Sequence, residues 1–161
     1  MELWLVRHAV AADRDEFDGP DAERPLTEKG RRRFRAFCEW LAGETPMPQV
    51  VVTSPLLRAV ETAALLARES GLKKSEIVST DRLAPGADLQ ALLGFVRDQP
   101  AELVALVGHE PDFSHYLAGI IGGGEFAFGK GFVAAIDFPS APAVGTGRLR
   151  WFVGPKLAEG K

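Results

Sequence analysis

Apolar positions along the chain follow two periods. Short unbroken runs, Leu3 to Val6, Val50 to Val52 and Leu103 to Val107, read as strands buried on both faces. Between them, apolar residues recur at helical spacing: Phe34, Phe37, Cys38 and Leu41; Val60, Ala63, Ala64 and Ala67; Leu89, Leu92, Leu93 and Val96; Phe113, Leu117, Ile120 and Ile121. The helix ends carry their own signals. Thr27 is placed to cap the first helix with Glu28 in its first turn, and Gly43 ends it. Ser54 as N-cap with Pro55 at the first helical position predicts the start of the second, which runs to Gly71. Asp88 caps the third, which stops before Pro100, and the fourth begins near Pro111 and ends at Gly122-Gly123-Gly124. Ile77-Val78 is a short strand candidate and Arg82 to Gly86 a turn. Beyond residue 131 the period changes to two: Phe132 to Phe138 and Arg148 to Val153 alternate, with Leu149, Trp151 and Val153 expected on one face. Alternating strands and helices followed by this hairpin-like pair predict an α/β fold. It is a three-layer α/β/α sandwich whose central sheet is mostly parallel, with an antiparallel C-terminal edge. No repeat or linker divides the chain, so residues 1–161 are expected to form a single domain.

Composition narrows the function classes. With 46% hydrophobic and 25% charged residues over 161 positions, the chain is long enough to bury roughly 70% of its unfolded surface. A net charge of −3 without a basic stripe excludes a general nucleic-acid binder. No apolar run approaches the ~18–20 residues of a membrane span, and no basic leader precedes the first strand. The single cysteine, Cys38, excludes an internal disulfide, suits a reducing cytoplasm, and is expected to be a buried structural thiol among Phe34, Phe37 and Leu41. Three histidines and one cysteine leave little material for a zinc site, so no metal and no cofactor are expected, and the chain is expected to act as a monomer.

The polar residues that matter stand at strand ends. Arg7-His8 closes the first apolar run, Ser54 to Arg58 follows the second, and Gly108-His109-Glu110-Pro111 follows the third. Parallel strands put their carboxyl ends on one side, so His8 and His109, 101 positions apart, are expected to share one pocket. A histidine there can serve as nucleophile or base, and arginine guanidiniums hold anions bidentately. Arg58 has a second reading, a plain surface pair with Glu61. Residues 9–25 form a loop with Asp13, Asp15, Glu16, Asp18, Asp21 and Glu23, either a solvated connection or an acidic rim that steers basic partners and discourages small polyanions. Arg31, Arg32, Arg33 and Arg35 lie on the wet face of their helix, and His115 and Lys130 read as surface residues.

Four segments together resemble the histidine phosphatase superfamily, the phosphoglycerate mutase-like group. They are Leu5-Val6-Arg7-His8-Ala9, Arg24-Pro25-Leu26-Thr27-Glu28-Lys29-Gly30, Thr53-Ser54-Pro55-Leu56-Leu57-Arg58 through Ala63, and Val107 to Pro111. The order and spacing match from the first strand to the helix after His109; Ala9 stands where the family usually has glycine. The resemblance implies a phosphoglycerate mutase-like fold. It also implies a metal-independent reaction in which His8 takes the phosphoryl group while Arg7, Arg58 and His109 surround its oxygens.

The branch turns on the leaving-group acid. Mutase-like members carry a glutamate in a Leu-x-Glu segment, whereas Leu83-Ala84-Pro85 puts proline there. Acid-phosphatase-like members place an aspartate after the second histidine. Glu110 occupies that position, as a proton donor or as a carboxylate favoured at a helix start; Glu61 or water are the other sources of the proton. Imidazole, with an ordinary pKa near ~6.5, leaves far more readily than an alkoxide, so phosphohistidine tolerates a poor acid. Only 50 residues separate Arg58 from His109, too few for a large lid, so the site is open to a side chain on another protein. Both features resemble the SixA-type phosphohistidine phosphatases. The expected partner is then a phosphohistidine-bearing protein. Two alternatives remain: a small-molecule phosphomonoesterase using Glu110, and a non-catalytic phosphate-binding domain.

Overall fold

A computed structural model describes residues 1–160. Six strands form one sheet: β1 (Glu2–Arg7), β2 (Val50–Thr53), β3 (Val78–Ser79), β4 (Leu103–Gly108), β5 (Val133–Asp137) and β6 (Arg148–Val153). Their spatial order is β3-β2-β4-β1-β5-β6; the first four are mutually parallel, β5 is antiparallel to β1, and β6 is antiparallel to β5. Four α-helices cover it: α1 (Glu28–Glu44), α2 (Leu57–Glu69), α3 (Leu89–Arg97) and α4 (Asp112–Ile121). The fold is thus the three-layer α/β sandwich that the alternation of elements predicts, with the phosphoglycerate mutase-like arrangement that the resemblance implies.

The four central strands, β2, β4, β1 and β5, divide their side chains between two cores, as pleated strands buried on both faces must. Trp4, Val6, Val51, Ala105, Val107, Val133 and Ala135 pack with Phe34, Phe37, Cys38, Ala63 and Leu66 of α1 and α2. Leu3, Leu5, Val52, Val104, Leu106, Ala134 and Ile136 pack with Leu92, Val96, Phe113, Leu117 and Ile120 of α3 and α4. Cys38 is fully enclosed, and burial pushes its thiol well above the ordinary range, so it stays protonated and inert. Among the described residues, no helix is long and apolar enough to cross a membrane.

The predicted caps at Thr27 and Asp88 form: Gly30 N–H donates to Thr27 Oγ1 at 2.9 Å and Ala91 N–H to Asp88 Oδ1 at 2.8 Å. Gly122 ends α4 in the left-handed conformation at φ 92°. Three boundaries differ from expectation. Helix α1 passes Gly43 and ends at Glu44, with Thr45 as its C-cap. Helix α2 begins at Leu57, with Leu56 at the cap position, and Ser54 Oγ accepts from Leu56 N–H at 3.3 Å just ahead of it. A register shift at Ala135/Ile136 pairs Ile136 with Leu149, so Leu149 leaves the face shared by Trp151 and Val153 and is exposed.

One glycine fixes how α1 meets the loop after β1. A Cβ at Gly30 would lie 2.2 Å from the Val10 carbonyl oxygen and 2.9 Å from Thr27 Oγ1. Helix propensity alone favours Gly30→Ala by roughly 1 kcal/mol. Overpacking against backbone reverses the sign, and the variant is expected to lose about 1–3 kcal/mol. Urea unfolding of the two proteins checks this; a more stable Gly30→Ala protein would refute the close approach.

Candidate active site

Helix α1 follows β1 onto one face of the sheet and α4 follows β4 onto the other, so these adjacent strands flank a switch point. Open α/β sheets bind ligands in the crevice outside such carboxyl ends. Arg7 pairs in register with Gly108, and Thr53 with Val107. Past these ends, His8 N–H donates to Gly108 O and Ser54 N–H to Val107 O, both at 3.0 Å. The backbone therefore carries His8, Ser54 and His109 into one row. The two imidazole rings lie 5.3 Å apart between centroids and are tilted by 51°.

His8 is 6% exposed. Its Nδ1 stands 2.7 Å from Ala9 O, and a carbonyl only accepts, so Nδ1 carries the hydrogen and Nε2 keeps a lone pair. Burial pushes the His8 pKa down to about 3. The Ala9 hydrogen bond opposes this, while His109, Arg58 and Arg7 add to it. The imidazole is accordingly neutral at pH 7. Ala9 fits without strain, because no described non-glycine residue has positive φ. Its N–H donates to Thr62 Oγ1 at 3.0 Å, and that hydroxyl donates to Arg58 O at 2.7 Å, so β1 and α2 are joined through Thr62.

His109 Nε2 lies 2.8 Å from Ser54 Oγ, which also accepts from Leu56 N–H at 3.3 Å. Ser54 is wholly buried, so its own proton needs an acceptor, and His109 Nε2 is the one beside it. The hydrogen of His109 then sits on Nδ1, which is buried with no protein partner. Burial and the charge of Arg58 bring the His109 pKa down to about 4, with Asp21 opposing.

Both expected guanidiniums reach the same place. Arg7 Nη1 donates to Phe128 O at 2.6 Å, and its Nε is buried without a partner. Arg58 is 5% exposed; its Nη1 donates to Asp21 O at 2.9 Å, its Nη2 lies 3.2 Å from Asp21 Oδ2, and its Nε is likewise without a partner. Burial lowers both arginine pKa values, countered for Arg7 by Glu110 and for Arg58 by Asp21. Glu61 is not the partner of Arg58: it accepts from Leu26 N–H at 2.7 Å and from Arg31 at 2.9 Å.

Glu110 is held by the first turn of α4. Ser114 N–H donates to Oε1 at 2.8 Å, and Ser114 Oγ lies 2.6 Å from Oε2. Leu83 is buried, but Pro85 beyond it is exposed. The remaining α1 arginines serve the surface, Arg33 with Glu159 and Arg35 with Glu39, and His115 and Lys130 are exposed. Sequence reasoning missed Asp21, which it left among the loop carboxylates, although an aspartate three residues before Arg24 offered a local signal. Ser54, expected as the N-cap, lies three residues before α2 and accepts from Leu56 N–H while its hydroxyl meets the His109 imidazole.

Known proteins agree with this architecture. The profile of the Histidine phosphatase superfamily (branch 1) matches residues 3–84, and the chain belongs to that superfamily. An uncharacterized protein of Picosynechococcus sp. is 35% identical over 123 residues, covering 74% of this chain and 73% of its own. The phosphohistidine phosphatase SixA of Escherichia coli K12 is 26% identical over 160 residues, 96% of this chain and 94% of that one. A solved structure of the protein histidine phosphatase SixA complexed with tungstate superposes with a TM-score of 0.86. It covers 99% of this chain and 100% of its own at 23% identity, and so bears on the fold.

Two buried neutral histidines make stability pH-dependent with a definite sign. Below the ordinary imidazole value of ~6.5 the unfolded chain takes up protons that folded His8 and His109 refuse until about 3 and about 4. Stability from this source is complete above pH ~6.5 and is lost as the pH falls towards those values. The melting temperature is expected to drop between pH 7 and pH 5, and to drop less in His8→Gln. Equal slopes in the two proteins would show that His8 is not held neutral.

Proposed function

We propose that this chain is a metal-independent phosphatase that hydrolyses phosphohistidine on a partner protein, through a phosphoryl intermediate on His8. The observation that carries the reading is the set of groups around the His8 ring. Arg7 Nε, Arg58 Nε and His109 Nδ1 are buried nitrogens without protein partners, gathered at the end of one sheet beside a neutral imidazole. A transferring phosphoryl group needs a nucleophile in line and compensation of charge on its equatorial oxygens; these donors supply the second and His8 Nε2 the first.

In the first step the His8 Nε2 lone pair attacks phosphorus and the bond from phosphorus to the substrate imidazole nitrogen breaks. The leaving ring takes a proton from solvent. Water then attacks the phosphorylated His8, the P–N bond breaks, inorganic phosphate leaves, and neutral His8 returns. The Ala9 carbonyl holds the Nδ1 hydrogen and offsets the positive charge that grows on the ring during transfer. The preference for phosphohistidine over an ester rests on the acid. Both Glu110 oxygens are engaged at the start of α4, and Leu83-Ala84-Pro85-Gly86 supplies no carboxylate. The 26% identity to the phosphohistidine phosphatase of E. coli, over nearly the whole of both chains, supports the same substrate. A monomer of one domain, 1–161, working in the cytoplasm on a phosphorylated protein completes the reading.

The rival within enzymes is a phosphomonoesterase with Glu110 as acid. An assay with chelator present separates them, on a phosphohistidine-bearing protein and on p-nitrophenyl phosphate. Phosphohistidine turnover is expected to exceed ester turnover. His8→Ala is expected to lose on the order of a thousandfold or more, and Glu110→Gln less than about threefold. Ester turnover that collapses in Glu110→Gln would favour the phosphomonoesterase; activity that survives His8→Ala or that chelator abolishes would refute the mechanism. Phosphate affinity without turnover would leave a binding domain.

A further inference from the structure

Asp21 meets more cations than any other carboxylate among the described residues. Its Oδ1 accepts from Arg24 Nε at 3.1 Å and Arg14 Nε at 3.3 Å, while its Oδ2 lies 3.2 Å from Arg58 Nη2 and its backbone oxygen takes Arg58 Nη1 at 2.9 Å. Burial pushes its pKa up, but the hydrogen bond from Arg24 and the charges of Arg58 and Arg24 outweigh that and hold the carboxyl below its usual range. It is therefore an anion at pH 7, among three guanidiniums.

The way it holds Arg58 is specific. A guanidinium offers two bidentate edges, an end-on edge made by Nη1 and Nη2 and a side-on edge made by Nε and the second hydrogen of Nη2. Asp21 meets the Nη end of the guanidinium with two different oxygens: its backbone oxygen accepts from Nη1, and its carboxylate Oδ2 is in ion-pair range of Nη2. The side-on edge is left with its Nε buried and unpartnered. Asp21 thus leaves Nε free for another acceptor. Arg58 lies on α2 while Asp21 lies in the short 3-10 turn Asp21–Glu23, so the contact also ties the 9–25 loop to the helix behind the site. Arg24 braces the loop itself by donating to Ala12 O at 2.8 Å.

We propose that Asp21 is a positioning residue: it fixes the Arg58 guanidinium by its end-on edge so that the side-on edge meets the phosphoryl oxygens. This rests on the reading that Arg58 binds the transferring group. Asp21 touches neither substrate nor the reacting atoms, and its effect on turnover passes through Arg58. Charge placed in advance acts mainly on the transition state, so the effect falls on kcat more than on KM.

A double-mutant cycle tests it, with Asp21→Asn, Arg58→Lys and the double variant read in single turnover on phosphohistidine protein, enzyme in excess so that slow variants stay measurable. Asp21→Asn is expected to lower the maximal single-turnover rate about tenfold with the half-saturating enzyme concentration moved less than about threefold, and to cause no further loss in the Arg58→Lys background. Asp21→Ser serves in the same cycle should Asp21→Asn unfold, as thermal melting would report. Equal losses in both backgrounds would make Asp21 a structural residue of the loop, and a gain in kcat/KM would make it a competitor for Arg58. Either result overturns the proposal. If Arg58→Lys itself leaves turnover unchanged, the assignment of Arg58 to the phosphoryl group fails instead.

Discussion

The register between neighbouring parallel strands is the constraint on which the site depends. Arg7 is level with Gly108 and Thr53 with Val107, so three chain segments distant in sequence leave the sheet at the same height. A slip of one residue in any strand would turn its side chains to the opposite core, exchanging Leu5 for Val6 or Leu106 for Val107. The two cores therefore lock the register, and the register brings the imidazoles of His8 and His109 to 5.3 Å. The geometry of the candidate site is a by-product of hydrophobic alternation.

Burial at that row sets the electrostatics. Neutral His8 and His109 cost little to enclose, and two buried guanidiniums keep them neutral by pushing their pKa values down further. The guanidiniums in turn are not abandoned in the interior: Phe128 O takes one and Asp21 the other, each on an edge that leaves Nε free. The same arrangement that disfavours protonation of the two imidazoles leaves buried N–H donors beside them. The family membership, the fold and this geometry point in one direction, and the placement of Glu110 at the start of α4 bears on which leaving group the site accepts.

Much of this was legible in the sequence. Unbroken apolar runs marked the central strands, and Arg7-His8, Arg58 and His109 stood at their ends, since chain order alone decides which residues come next after a strand. Thr27 and Asp88 were readable because a cap bonds within its own turn. What the sequence concealed were contacts made across the fold. Ser54 carries every local mark of an N-cap, yet its hydroxyl faces an imidazole 55 positions away. Asp21 looks like one of six loop carboxylates, and only the folding of that loop against α2 distinguishes it. Leu149 keeps the alternation of its strand until a register shift, invisible in composition, moves it out.

The central claim is covalent: the phosphoryl group rests on His8. Rapid quenching in alkali during turnover of a 32P-labelled phosphohistidine protein, with peptide mapping of the product, tests it most directly. The account predicts acid-labile, alkali-stable label on the peptide holding His8, at up to one phosphoryl per chain and absent in His8→Ala. Turnover proceeding at full rate with no label on His8, or with label on another residue, would contradict it.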